Sequence, residues 1–334
     1  MINQRIPEYF EKIFTVTTAV KNNEEATYRQ ALVQTLATLI AGELSQADIE
    51  QLSSDSQTAL SDLQTVDWSS LSFSDRRNIL QLLVLKADRE DKTPANQQLT
   101  PDGIGYLLGE LIYQTTQIKE DARVTDMVVG TGNLLWTVEE TLNRHELKMI
   151  GTGIDNDNQQ LALASVTGEA LHDQESALFL GDVVDLAADA ITPAPIVIGD
   201  LPIGYYPQAA PTGFVTSLSS EAGKSYAHYL MIEKSLDLVS DDGWIYLVVP
   251  ADLLAGPNHE AILKLLSQKA QLKAFLALPS EYFKNQERAK ALLVLRKPGV
   301  GPKTEVLMGQ YPSVKDPQAL QEFLQDIAAW GKLK

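Results

Sequence analysis

The stretch TDMVVGTGNLL, Thr125 to Leu135, constrains this chain more than any other. A β-type apolar run stops at Gly130-Thr131-Gly132 and turns directly into a helix-like segment. Parallel α/β folds build a cofactor cradle in this way. The strand delivers the backbone, the glycines let it approach a ligand, and the following helix offers free N–H groups. The residues C-terminal to it read as the rest of a nucleotide-cofactor domain, and those N-terminal to it as a helical attachment.

From Val124 onward the pattern alternates strand and helix. Strands are expected at 124–129, 148–154, 177–180 and 195–198, and helices at 133–144, 158–171 and 226–239. A β-rich run at 244–249 closes at Pro250, and a helix at 260–269 leads to two more apolar runs, 272–278 and 289–295. Adjacent runs so late in the chain predict an antiparallel pair finishing an otherwise parallel sheet. Residues 1–92 lack strand signals and repeat apolar residues at helical spacing, as in Ala31, Leu32, Leu36, Leu39 and Ile40. Ser45 to Asp48 has the form of a helix start. The expected division is a helical N-terminal domain at 1–92, an α/β domain at 93–305 and a strand/helix extension at 306–334. The polar run Asp88 to Pro94 is the expected linker, and Thr100 the expected N-cap of the next helix.

Composition narrows the function classes. The chain has no cysteine, which excludes disulfides and thiolate metal sites, and its four histidines lack metal-ligand spacing. MINQRIPEYFEKIF lacks a signal-peptide core and no apolar run approaches membrane-spanning length, so a cytoplasmic protein with no membrane partner is expected. The net charge of −17 argues against tight, independent nucleic-acid binding, since phosphate neutralisation drives most non-specific affinity. Basic residues cluster only at Arg76-Arg77 and between Lys284 and Lys303.

Candidate chemistry falls at successive strand ends. In Gly130-Thr-Gly132-Asn133-Leu-Leu135 a leucine stands where the dinucleotide fingerprint has its third glycine, which disfavours a pyrophosphate. Gly151 and Gly153 lie inside a strand and read as sheet packing. Asp155, at the second strand's end, suits a carboxylate accepting both ribose hydroxyls, with a helix N-cap as the plain alternative. Asp182 ends the third strand, where a carboxylate accepts from an adenine amine, or is an ordinary surface aspartate. Asp200, in IGDLPIGYYP, ends the fourth. With a rigid neighbouring carbonyl it can accept two hydrogens from an amine and aim the nitrogen lone pair at an electrophile. Tyr205 and Tyr206 can stack on a flat substrate, or are surface residues of a stiff β–α connection.

In order, these residues resemble the S-adenosylmethionine-dependent N6-adenine DNA methyltransferases of the modification-subunit type, over roughly 99–297. Leu99-Thr100-Pro101 is similar to the motif upstream of that family's glycine loop. Asp126 to Leu135 resembles the loop itself, Gly153-Ile-Asp155-Asn156-Asp157 the ribose-binding strand end, and Gly181-Asp182 the adenine-binding one. Asp200-Leu201-Pro202-Ile203 stands where the family has Asn/Asp-Pro-Pro-Tyr/Phe, and AHYLMIEKSL, GWIYLVVPADLL and LALPSEYF…KALLVLRK look like its later elements. The resemblance implies a Rossmann-like class I methyltransferase sheet, mostly parallel with an antiparallel last strand. It implies S-adenosyl-L-methionine as cofactor. Asp126, Gly130 and Gly132 would hold the methionine end, Asp155 the ribose and Asp182 the adenine, with Thr100, Asn133, Asn156 and Val183 beside them. Asp200, Leu201 and Pro202 would form the catalytic loop for in-line transfer to an exocyclic amine of DNA or RNA.

Two departures shape the expectation. Met127-Val128-Val129 replaces Pro-Ala-Cys and leaves the glycines intact. Ile203 replaces the aromatic residue that stacks on a flipped adenine, forfeiting roughly 1–3 kcal/mol unless Tyr205 or Tyr206 takes over. About thirty residues follow the last expected sheet strand, too few for a target-recognition domain. An enzyme with an unusual substrate, or one needing a second copy or a partner subunit through the helical domain, fits better. The rivals are a methyltransferase for a protein or small-molecule amine or amide, a non-catalytic relative and, a distant third, a nicotinamide dehydrogenase, which Leu135 and the absence of an evident catalytic His/Lys pair disfavour.

Overall fold

In the computed structural model the described residues are 5–116, 121–172, 177–187, 189–217, 224–256, 259–283, 289–298, 305–313 and 315–332. Near-continuous apolar runs such as APIVIGD and KALLVLR form strands covered on both faces, as an α/β sheet requires. The strands are β1 (Ala122–Asp126), β2 (Met149–Asp155), β3 (Ala177–Leu180), β4 (Ala194–Asp200), β5 (Val239–Pro250), β6 (Gln271–Ala277), β7 (Lys290–Arg296) and β8 (Leu307–Gln310). They make one sheet in the order β3-β2-β1-β4-β5-β7-β6-β8.

Strands β1 to β5 are parallel, and β1 pairs with both β2 and β4. The strand order therefore reverses beside β1, and the crevice outside the strand C-termini at such a switch point is where α/β sheets hold ligands. Helices α6 (Asp102–Thr115), α7 (Asn133–Arg144), α8 (Asn158–His172), α9 (Ala227–Leu238) and α10 (His259–Gln268) accompany the strands. The two late apolar runs form the expected antiparallel pair, β6 and β7. β7 runs between β5 and β6, and β8 adds a further parallel strand beyond β6. Tyr311 then donates from its hydroxyl to Leu107 O at 3.1 Å and packs on Phe323 of α11 (Pro317–Lys332).

Helices α1 (Arg5–Asn23), α2 (Tyr28–Ala41), α3 (Gln46–Gln51), α4 (Ser54–Ser61) and α5 (Phe73–Glu90) build the N-terminal region, with Ser45 and Asp48 closing the expected capping box on α3. The apolar faces of α1, α2, α4 and α5 join one core with α6, α7 and α8. Trp68 donates its indole N–H to Ala170 O at 2.9 Å. The polar run after Ala87 is tied down at both ends. Asp91 accepts from the backbone N–H groups of Tyr28 and Arg29, while Asp88 pairs with the Arg29 guanidinium and accepts from Leu99 N.

Arg76 and Arg77, the adjacent basic pair of the N-terminal region, are buried and face inward. Arg76 donates to Ala170 O and Ser69 O. Arg77, 1% exposed, ion-pairs with Asp102 and Glu140 and donates to Thr137 and the Tyr106 hydroxyl. Neither is available to a phosphate. Lys284, Arg288 and Lys303 of the second basic cluster lie outside the described residues. Among the described residues no helix is long and apolar enough to cross a membrane.

Candidate functional site

The glycine loop begins earlier than expected, because β1 ends at Asp126 and Met127 to Val129 leave the ladder. Met127 N–H donates to Ile198 O and Val129 N–H to Ile154 O, which wedges the loop's first half between β4 and β2. Gly130 and Gly132 then take positive φ, 53° and 85°, the left-handed region that glycine enters without strain. A Cβ on Gly130 would meet nothing within 4 Å, whereas one on Gly132 would overlap the Trp136 indole. Helix α7 starts at Asn133 with Gly132 as N-cap and no side-chain cap, so its first turn offers N–H groups to a ligand. Gly153 reads as packing here too, since a Cβ there would press on Val129 and Leu178.

The loop opens on a cavity of about 850 Å³ at the C-terminal ends of β1, β2, β3 and β4. Gly130, Asn133, Asp155, Asn156, Asp182, Val183, Thr100, Asp200, Leu201, Pro202, Tyr205 and Tyr206 all contribute to its wall. Asp155 accepts from Gly130 N–H at 2.8 Å and Asp157 N–H at 2.9 Å, so it ties the glycine loop to β2. Capping of α8 falls to Asp157 instead, which accepts from Gln159 N–H and Gln160 N–H. Burial raises the Asp155 carboxyl above its ordinary range, against the lowering by these donors. Each oxygen keeps a lone pair for a further donor.

Asp126 lies beneath the wall. It is fully buried, accepts from Val128 N–H at 3.1 Å through one oxygen, and leaves the other without a partner. Burial pushes its carboxyl up to about 8, with Asp155 and Asp200 adding repulsion.

At the third strand's end Asp182 accepts from Val184 N–H at 3.0 Å and from the Tyr206 hydroxyl at 2.8 Å. Tyr206 is therefore buried with its hydroxyl turned to Asp182, while Tyr205 is 60% exposed and stacks on Tyr226 at 4.8 Å. Of the two, Tyr205 is the one that presents a ring. Ile203, 47% exposed, shares its loop.

Asp200 ends β4 with both oxygens engaged. One is ion-paired to Lys290, and the other accepts from the Thr100 hydroxyl at 3.0 Å. Thr100 is thus not the cap of α6. The helix begins at Asp102 after Pro101, without a side-chain cap bond, because the hydroxyl is turned to Asp200. Asn133 fixes the same segment, donating to Thr100 O at 2.6 Å and to Asp102 at 3.0 Å. The sequence reading missed Lys290, Gln97, Gln160 and Met231 on the wall. A lysine opening a strand carries no local signal; only the placement of β7 beside β5 brings it to Asp200. Among the described residues there is no cluster of three or more side chains able to hold a metal ion.

Comparison with known proteins identifies the family and the fold. The family model for N-6 DNA methylase matches residues 81–323. A curated relative, the uncharacterized protein YtxK of Bacillus subtilis, is 29% identical over 99% of both chains. The crystal structure of a class I S-adenosylmethionine-dependent methyltransferase homologue from Listeria monocytogenes superposes with a TM-score of 0.85 at 27% identity, covering 98% of this chain and 99% of that one. The methyltransferase subunit of a type I restriction–modification system from Streptococcus thermophilus shares the fold, with a TM-score of 0.65 at 16% identity over 95% of this chain and 74% of its own. The chain belongs to the N-6 DNA methylase family, on a class I methyltransferase fold.

Proposed function

We propose that the chain is an S-adenosylmethionine-dependent N-methyltransferase acting on an exocyclic amine held at Asp200, with N6 of adenine in DNA or RNA as the leading acceptor. One observation carries the reading. A single cavity joins the glycine loop, Asp155 and Asp182 at successive strand ends to an acceptor carboxylate at a fourth. The N–H groups of α7 suit the carboxylate of an amino-acid tail, Asp155 suits ribose hydroxyls, and Asp182 with Val183 suits an adenine edge. The partnerless oxygen of Asp126 below is a polar atom left over for a hydrogen bond beneath the same site.

The bound cofactor supplies an electrophilic methyl group on a sulfonium. The chain's own part is orientation and electrostatics. Thr100 and Lys290 hold Asp200 in place, the pinned Leu201-Pro202 backbone offers a second acceptor, and Tyr205 offers a stacking face. Leu201 N–H on Val248 O at 3.0 Å and Ala227 N–H on Gly204 O at 2.9 Å fix that loop from both sides. A second subunit or second copy at the N-terminal helices belongs to the same reading, and Leu82 and Leu85 on α5 are exposed apolar residues available to it.

The test is transfer of labelled methyl to DNA, RNA and protein pools. Label in N6-methyladenine, lost in Asp200→Ala, supports the reading, and label confined to protein overturns the adenine acceptor. Ile203 in place of an aromatic residue favours a second reading, a cofactor-binding relative without catalysis. An Asp200→Ala strain that retains full cellular function supports that alternative.

A further inference from the structure

The charged residues on the cavity wall are unequal in number and role. Asp155, Asp157, Asp182 and Asp200 contribute, against Lys290 as the one lysine or arginine among the described residues. Three of the four acids are served by uncharged donors. Backbone N–H groups bond Asp155 and Asp157, and Val184 N–H with the Tyr206 hydroxyl bonds Asp182. Only Asp200 receives a cation. Lys290 reaches it across β5, from the first residue of β7, and both side chains are largely shielded, at 22% and 15% exposure.

Without Lys290, Asp200 would add a bare carboxylate to an acidic cavity in a chain of net charge −17. Such a subsite attracts ammonium groups, and an ammonium nitrogen has no lone pair with which to take a methyl group. With Lys290 present the pair is neutral, and an entering cation meets a like charge at short range. An uncharged N–H donor meets no such barrier. A carboxylate has about four acceptor directions, and Lys290 and Thr100 use one on each oxygen, so room for a further N–H bond remains.

We propose that Lys290 is a specificity-determining residue, which neutralises Asp200 so that the acceptor subsite selects an uncharged amine or amide and rejects protonated aliphatic amines. The inference rests on the reading of Asp200 as the acceptor carboxylate. It narrows the acceptor to the class of nucleobase amines and carboxamides, and excludes lysine side chains and polyamines.

The test uses the full chain saturated with S-adenosylhomocysteine, whose uncharged sulfur adds no repulsion of its own. Wild type, Lys290→Met and Lys290→Gln, each checked for folding by circular dichroism, are titrated with n-butylammonium and with 2′-deoxyadenosine. Wild type rejects n-butylammonium, both variants bind it about tenfold more tightly or better, and the gain disappears when Asp200→Ala is added to Lys290→Met. Equal n-butylammonium affinity in wild type and both folded variants overturns the proposal, as does a gain that survives loss of Asp200. Failure of wild type to bind 2′-deoxyadenosine, with the cation discrimination intact, refutes the adenine acceptor and leaves the role of Lys290 standing.

Discussion

Asp126→Asn isolates the consequence of burying an acid under the glycine loop. The carboxyl is fully buried, one oxygen accepts from Val128 N–H and the other has no partner. Its ordinary value of 3.8 is pushed up to about 8, first by burial and further by Asp155 and Asp200. Between those two values the folded chain retains a proton that the unfolded chain releases. Stability therefore falls as pH rises through the window, and the penalty is complete only above the folded value. Asparagine keeps the acceptor for Val128 N–H and has nothing to ionise.

The variant's advantage over wild type grows with pH by about 1.4 kcal/mol per unit, roughly 4 kcal/mol between pH 5 and pH 8, and levels off above. Urea unfolding of both proteins at matched pH values measures it, provided the slopes with denaturant agree. Other groups cancel in the difference. Among them is His228, which burial lowers to about 4 and which changes stability in the opposite sense below its ordinary 6.5. A difference that is flat with pH, or one that shrinks as pH rises, would refute the reasoning.

Packing sets two further outcomes. Arg77→Met leaves Asp102 and Glu140 without their buried cation, and the loss on denaturant unfolding is about 3–5 kcal/mol, as for a buried pair cut at one end. Gly132→Ala places a Cβ against the Trp136 indole at a φ of 85°, and its unfolding free energy falls by about 1–3 kcal/mol. Gly130→Ala takes only the backbone strain, since its Cβ meets nothing within 4 Å, so Gly132→Ala is the less stable of the two.

The strand ends were legible because each combines an apolar run with a glycine or an acid, a local signal that survives folding. Asp155, Asp182 and Asp200 meet on one cavity for that reason. Contacts that depend on sheet order were not legible. Nothing near Lys290 announces that β7 enters between β5 and β6, and nothing near Tyr206 separates it from Tyr205 until one ring is turned to Asp182 and the other to Tyr226. Thr100 looked like a helix cap because threonine before proline and aspartate has that form. A carboxylate one hundred positions away is the partner its hydroxyl takes. The sequence shows Arg76 and Arg77 only as a basic cluster, because their partners Ala170, Asp102 and Glu140 come from other elements.

The central claim is that the cavity at the ends of β1, β2 and β3 is a site for S-adenosylmethionine. Calorimetric titration with that ligand, run beside NAD and repeated on Asp155→Ala, tests it most directly. The expected result is micromolar binding of the methyl donor, none of NAD, and loss of binding in a folded variant that lacks the carboxylate. Folded wild-type protein that ignores the methyl donor, or binds NAD equally well, would contradict it.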